Sequence, residues 1–213
     1  MDDKFYEDLK EKIQSYFEKT GSHSFEHTER VCNLAIYIAK FEDVDMDIIK
    51  ASALLHDVAR LKQDKGECNC HAEEGGEIAE KILKEMSFIK DKINSVCHAI
   101  KVHRYSKNLK AETKEAEIIQ DADRLDALGA ITIARVFDYG VKKNRPMYNP
   151  NLKLKEYNHN SESESSINHF YEKILKIKPE TFKTKKAQEI AKGRYKFVEE
   201  FVERFIKEWN GEL

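Results

Sequence analysis

The sequence predicts an all-α fold. Across its 213 residues apolar side chains recur at helical spacing almost everywhere, and period-2 runs rich in Val, Ile and Thr are missing. With 40% hydrophobic and 36% charged residues and only 8 Gly and 3 Pro, the composition fits a chain that builds a packed core. It does not fit a disordered, collagen-like or low-complexity one.

The spacing predicts helices over about 3–19, 24–42, 47–60, 71–86, 88–103, 115–140, 165–177 and 184–209. Gly21 with Ser22 and Ser24 marks the first junction, and Asp45 or Asp47 is placed to cap the third helix. Pro179 stops the seventh helix before Thr181 or Thr184 starts the last one. The last helix carries an apolar stripe of Ile190, Phe197, Val198, Phe201, Val202, Phe205 and Trp209, expected to pack into the core. Two segments, Arg104–Lys114 and Lys142–Ser165, lack periodicity. The second is long enough to act as a lid or to be a plain surface loop. No repeat or linker divides the chain, so one domain is expected over 1–213.

Several function classes lose support from composition alone. Lys+Arg of 37 against Asp+Glu of 39 leaves a formal charge of -2, without the basic excess of nucleic-acid binders, so no specific DNA or RNA partner is expected. The longest apolar stretch, Val31–Ala39, is interrupted by Asn33 and is about half of a membrane span, and the first ten residues lack the pattern of a secretory signal. A soluble cytoplasmic protein without membrane association is expected, its four cysteines (Cys32, Cys68, Cys70, Cys97) free thiols. Neither a P-loop nor a G-x-G-x-x-G is present.

What remains is a set of inward polar residues. His27 lies within about 40° of the stripe Val31, Leu34 and Ile38 on a helical wheel; a lone inward His is ordinarily a hydrogen-bonded core residue. His56 shares a face with Ile49 and Ala53, and Asp57 follows it. A buried carboxylate there calls for a partner or a metal. In the sixth helix Asp123 groups with Ile119, Ala130 and Ala134, with Asp126 about 60° away; Asp121 points elsewhere, toward an i,i+3 ion pair with Arg124. Two inward histidines and two inward aspartates on three helices form a mixed N/O donor set suited to Mn²⁺, Fe²⁺ or another divalent ion.

Further groups stand near these. His103 falls on the stripe of Ile93, Val96 and Ile100, as a phosphate contact, a second-metal ligand or a satisfied core residue, whereas His98 faces water. His71 shares a face with Gly75, Ile78 and Ile82. Arg60, Lys62 and Arg104 are either phosphate contacts or solvated charges. Cys68, Cys70 and His71 lack the second ligand pair of a structural zinc site, and His23 with His27 is only a weak i,i+4 metal pair.

The order His27, then His56-Asp57, then Asp123 resembles the H...HD...D pattern of the HD-domain superfamily of metal-dependent phosphohydrolases. The contexts HTERV (27–31), ALLHDVAR (53–60) and DADRLDALGAI (121–131) carry the likeness. It continues to SINHFYEKILKIK (166–178), in the manner of the bacterial YpgQ/YedJ-like group. The resemblance implies an all-helical fold with a metal-site core over about 24–140 and a helical C-terminal part over about 141–213. It implies one divalent ion held by His27, His56, Asp57 and Asp123: Mn²⁺ first, with Fe²⁺, Mg²⁺, Co²⁺, Ni²⁺ or Zn²⁺ as alternatives. It also implies hydrolysis of a phosphoester or phosphoanhydride in a small phosphorylated molecule, a nucleotide.

Departures narrow the branch. Val58-Ala59 replace the Glu-Asp pair of the guanosine tetraphosphate hydrolases, and His98-Ala99 and Tyr139-Gly140 do not supply the adjacent histidines and Gly-Tyr-Pro of the HD-GYP phosphodiesterases. The expected catalytic groups are Asp57 and Asp126; the expected substrate contacts are Arg60, His71, His103, Arg104, His169 and Lys173. Release of pyrophosphate from a nucleoside triphosphate is one candidate reaction. Two other functions compete: a catalytically silent sensor that binds a nucleotide through the same pocket, and a helical interaction module whose aspartates only form salt bridges.

Overall fold

The computed structural model describes residues 2–17, 24–156 and 162–213. His23, the suggested partner of His27, lies outside these residues, as do Gly21 and Ser22 of the first junction and residues 157–161 of the long segment after Lys142. The described residues are helical, with no β-strand among them, and none of their helices is long and apolar enough to cross a membrane.

They divide into two compact units, one ending at Asp123 and the other starting at Arg124. In the first, α1 (Asp3–Ile13), α2 (Phe25–Ala39), α3 (Met46–Leu55), α4 (Arg60–Asp64), α5 (His71–Glu85) and α6 (Lys90–Val102) are followed by α7 (Lys114–Leu125), in which the division falls. Here α2 packs on α3, α3 on α6 and α5 along α6, with α1 against α3 and the short α4 against α5. Val31, Ala35, Ile49, Ala53, Leu54, Leu83, Val96 and Ile100 are excluded from solvent at their centre. Asp2 caps α1 by accepting from the Phe5 N–H (2.7 Å), and Asp45, rather than Asp47, caps α3 by accepting from Asp47 and Ile48.

Expected and observed helices part company where buried polar groups interrupt the period. The helix expected over 47–60 stops at Leu55; His56–Ala59 form a tight turn, with Val58 N–H on Leu55 O and Arg60 N–H on Asp57 O, before α4 begins. The first helix ends at Ile13 with a 3₁₀ turn to Tyr16. The helix expected over 115–140 is two helices, α7 and, in the second unit, α8 (Ala130–Lys142). Asp126 therefore sits on the turn after α7 and not on the wheel that grouped Asp123 with Ala130 and Ala134. Gly129, at φ 88° and ψ -160°, makes the break, and Arg194 donates to the Leu125 carbonyl left open at the helix end (2.6 Å).

The second unit continues with α9 (Ser166–Glu172) and α10 (Lys185–Trp209), capped by Ser165 and Thr184. The seventh expected helix thus ends at Glu172, and 3₁₀ turns at Ile174–Lys176 and Pro179–Thr181 fill the rest. The buried line of α10 runs Ala187, Ala191, Tyr195, Val198, Val202; Phe197 and Trp209, expected inside, are each about half exposed. Phe137, Phe170, Phe201 and Phe205 join ring to ring, extended by Tyr148 and Trp209. Arg124 donates to the carbonyl and hydroxyl of Thr181 and lies over the Phe182 ring.

Two glycines should respond oppositely to alanine. Gly129 has a backbone that only glycine adopts readily, and an added Cβ would lie 3.0 Å from Arg194 Cγ. Gly129→Ala should cost about 1–3 kcal/mol. Gly193 is inside α10 with nothing within 4 Å of an added Cβ, so Gly193→Ala should gain about 0.5–1 kcal/mol. Urea midpoints of the two variants check both signs.

Candidate metal centre

Helix ends deliver the site. His56 is the residue that closes α3 and His103 the one that closes α6, and each turns its Nδ1 back to the carbonyl three residues earlier: Ala53 O at 2.8 Å and Ile100 O at 2.6 Å. A carbonyl only accepts, so Nδ1 carries a proton, and in the neutral ring Nε2 presents its lone pair. His71 opens α5 and is fixed by Gln63, whose Oε1 accepts from both the His71 backbone N–H (3.0 Å) and Nδ1 (2.5 Å). His27, in the first turn of α2, supplies a fourth imidazole, and all four are buried.

The Nε2 atoms converge. His27 and His56 Nε2 are 3.4 Å apart, and His71 and His103 Nε2 are 3.3 Å apart. Asp57 stands between the pairs. Its Oδ2 is 3.8 Å from His27 Nε2 and 3.9 Å from His56 Nε2, while Oδ1 is 3.2 Å from His71 Nε2 and 3.6 Å from His103 Nε2. Asp123 closes the first group, with Oδ1 3.3 Å from His27 Nε2. It is the more open carboxylate, its side chain 27% exposed against 5% for Asp57. Two sets of donors therefore share one carboxylate: His27, His56 and Asp57, and Asp57, His71 and His103, each with ligand atoms within 4.8 Å of one another.

The electrostatics follow from burial and this crowding. Burial takes His56 down to about 4, with the Asp57 carboxylate opposing and the His103 and His27 rings adding to the fall. Burial also lowers His71, against the pull of Asp57. For His103 burial works downward, but the hydrogen bond and charge of Asp57 outweigh it, and the ring ends above its ordinary value. Asp123 is pushed up by burial and more strongly down by its hydrogen bond to His27 and the nearby imidazoles, ending well below the carboxylate range.

Lone pairs and carboxylate oxygens gathered in a buried space repel one another unless a proton or a cation stands among them. Ligands about 2.1 Å from an ion at right angles are about 3 Å apart, so spacings of 3.3–3.9 Å need closure of between about 0.3 and about 0.9 Å. Nitrogen and oxygen donors without thiolate suit a divalent ion of intermediate hardness. The residues fit such an ion.

The expected metal ligands and the inward His71 and His103 are thus brought together. Other expected contacts are already engaged: Arg60 Nε with Asp64 (3.1 Å), Lys62 with Glu74, and Arg104 Nη1 with the Cys70 thiol (3.7 Å). His98, expected to face water, is half-buried and accepts from the Glu112 backbone N–H (3.1 Å). In the second unit the Asp126 carboxylate is paired with Arg135 (2.7 Å), and His169 Nδ1 lies 3.3 Å from Ser163 Oγ. Gln63 was missed, because a polar residue on a short helix carries no periodic signal. The histidines' helix-end anchors did leave one: each closes a run whose carbonyl three residues back is buried.

The HD domain family model matches residues 24–128. The crystal structure of an HD-superfamily hydrolase from Bacillus thuringiensis is 36% identical with a TM-score of 0.77, covering 97% of each chain. That of a predicted HD-superfamily hydrolase from an uncultured Thermotogales bacterium is 32% identical with a TM-score of 0.68, covering 95% of this chain and 92% of that one. The YpgQ protein of Bacillus subtilis (strain 168) is 28% identical over 213 residues, 96% of this chain and 94% of its own. Its crystal structure in complex with ADP aligns with a TM-score of 0.73. With the donor geometry and two solved relatives above 30% identity over nearly their whole length, the chain belongs to the HD superfamily, as a metal-dependent phosphohydrolase.

Proposed function

We propose that the protein hydrolyses a phosphoanhydride or phosphoester bond of a nucleotide, with release of pyrophosphate from a nucleoside triphosphate as the leading case. The observation that carries the metal-dependent part is the convergence of the His27, His56, Asp57 and Asp123 donors; the nucleotide is supported by the relative YpgQ, crystallised with ADP. In this reading His27, His56, Asp57 and Asp123 hold one divalent ion, Mn²⁺ first by its fit to two imidazoles and two carboxylates. Such an ion supplies Lewis acidity to water and to a phosphoryl oxygen. Asp57, with one oxygen toward each pair of histidines, orients the reacting groups as well as binding the ion. His71 and His103 face the same carboxylate and contact the phosphate chain. Arg60 and Arg104 reach substrate by leaving Asp64 and Cys70. Asp126 orients the attacking water or accepts its proton, and His169 and Lys173 bind substrate.

The metal-loaded chain, incubated with a panel of nucleotides and several divalent ions, should release pyrophosphate or orthophosphate, fastest with Mn²⁺. Nucleotide binding without release of either would instead establish a sensor.

The ligands should fail together while the fold survives. His56→Ala and Asp57→Ala should abolish turnover and keep helical circular dichroism, because the helices pack through their apolar faces. Asp123→Asn should weaken metal binding strongly, since an amide is a poorer donor than a carboxylate to a hard cation. Metal titrations beside turnover check this, and wild-type turnover of either alanine variant at saturating metal would refute the ligand set.

Asp126→Asn should keep the metal and lose about 10²- to 10⁴-fold in rate as a general base. A smaller loss would leave Asp126 as the structural partner of Arg135 alone. Single-turnover rates at saturating metal decide.

A further inference from the structure

The second unit holds a cationic cluster remote in sequence from the metal ligands. Arg145, on the turn after α8, lies over the Tyr139 ring with its guanidinium carbon 5.5 Å from the centroid. Its Nη1 is buried and has no hydrogen-bond partner among the described residues. A shielded guanidinium N–H without an acceptor is costly, and structures keep such groups where an acceptor from outside the chain completes them. His169 and Lys173 lie one helical turn apart, with Lys173 N–H on His169 O (3.0 Å). The charges of Arg145 and Lys173 both reach the His169 ring: burial first, then Arg145 and Lys173, take it down to about 4. Lys173 is itself lowered, by burial and then by Arg145, against the pull of Glu172 and Glu162.

The acids of this region also engage other groups. Glu162 pairs with Lys143 (3.3 Å), Glu164 with Lys155 (2.9 Å), and Glu172 accepts from the Lys155 backbone N–H (2.8 Å). The cluster is also held in place. Arg145 N–H bonds to Gly140 O (2.8 Å), Ser166 N–H to Pro146 O (3.0 Å) and Ile167 N–H to Met147 O (2.9 Å), tying the turn to the start of α9. Gly140 lets α8 come this close, since a Cβ there would collide with Ser166 Oγ. Ser163 Oγ lies 3.3 Å from His169 Nδ1; a hydroxyl donating there leaves the proton of the neutral ring on Nε2, ready to donate to an anion.

We propose that Arg145, His169 and Lys173 form a phosphoryl-binding subsite, in which the Arg145 fork and the His169 ring donate to the oxygens of one phosphate group and Lys173 adds charge. Arg145 is the residue that builds it, because a planar fork matches two phosphate oxygens at once and a lysine does not. The choice of a phosphoryl anion rests on the reading of the substrate as a phosphorylated molecule, but the binding does not require the metal ligands.

The test follows the His169 ring proton signals by NMR in the full-length, Mg²⁺-loaded chain, with inorganic pyrophosphate as the probe. An anion among these groups favours the protonated ring, and the coupling is reciprocal. Saturating pyrophosphate should therefore raise the His169 titration midpoint by about one pH unit or more, with the anion bound about tenfold tighter to the protonated form. Asp57→Ala should keep that shift. Arg145→Gln should remove it and weaken the pyrophosphate binding read at His169 about tenfold or more, while Arg145→Lys, which keeps the charge but not the fork, should fall between. A midpoint unmoved by pyrophosphate in the wild-type chain, or an Arg145→Gln chain that shifts as the wild type does, overturns the subsite. A shift seen in a chain that hydrolyses no nucleotide leaves the subsite standing and removes the proposed substrate alone.

Discussion

Six electron-pair donors aimed into one space set the terms for the first compact unit. Imidazole lone pairs and carboxylate oxygens 3.2–3.9 Å apart repel unless a proton or a cation stands between them. The apolar packing of α2, α3, α5 and α6 holds the donors in place, so the stability of those helices is spent partly on keeping like groups together. A proton and a divalent cation meet the same donors here, so the two compete for the site. The divided loyalty of Asp57, one oxygen toward each histidine pair, makes it the atom group through which any change on one side is felt on the other.

Most of the centre was legible in the sequence because inward polar residues on apolar stripes are conspicuous. His27, His56 and Asp123 could be singled out as inward polar residues from helical phase and Asp57 as the carboxylate beside His56, the resemblance to the HD-domain superfamily joined them as one ligand set, and His103 could be separated from His98 by which stripe it joined. The all-α class was equally open to view. What periodicity could not carry was interruption. His56 and Asp57 lie on a turn rather than inside a helix, and α7 and α8 read as one continuous helix because Asp126–Gly129 contains no proline and only one glycine. The backbone sign at Gly129, not composition, makes that break. The same limit misplaced Phe197 and Trp209: a wheel gives the average face of a helix, whereas which aromatic is covered depends on neighbours that are distant in the chain.

The two units use polar groups differently. In the first, buried imidazoles are fixed by main-chain carbonyls and a glutamine and converge on carboxylates. In the second, buried polar groups chiefly close helix ends: Arg194 on Leu125, Thr132 and Arg135 on the Asp126 carbonyl, and Arg124 on Thr181. Arg145 stands apart from this pattern, its buried Nη1 closing no helix end.

The anchoring of His56 and His103 by carbonyls in the last turn of their own helices has a consequence for how such centres arise. A helix that ends facing a pocket already offers an acceptor at the right height, so one substitution to histidine at its closing position yields an imidazole whose ring angle and tautomer are settled at once, without help from any other segment. Donors of this type are modular. They can be gained or lost one helix at a time without redesign of the surrounding core, which offers a physical route by which a single helical scaffold comes to hold donor sets of different size.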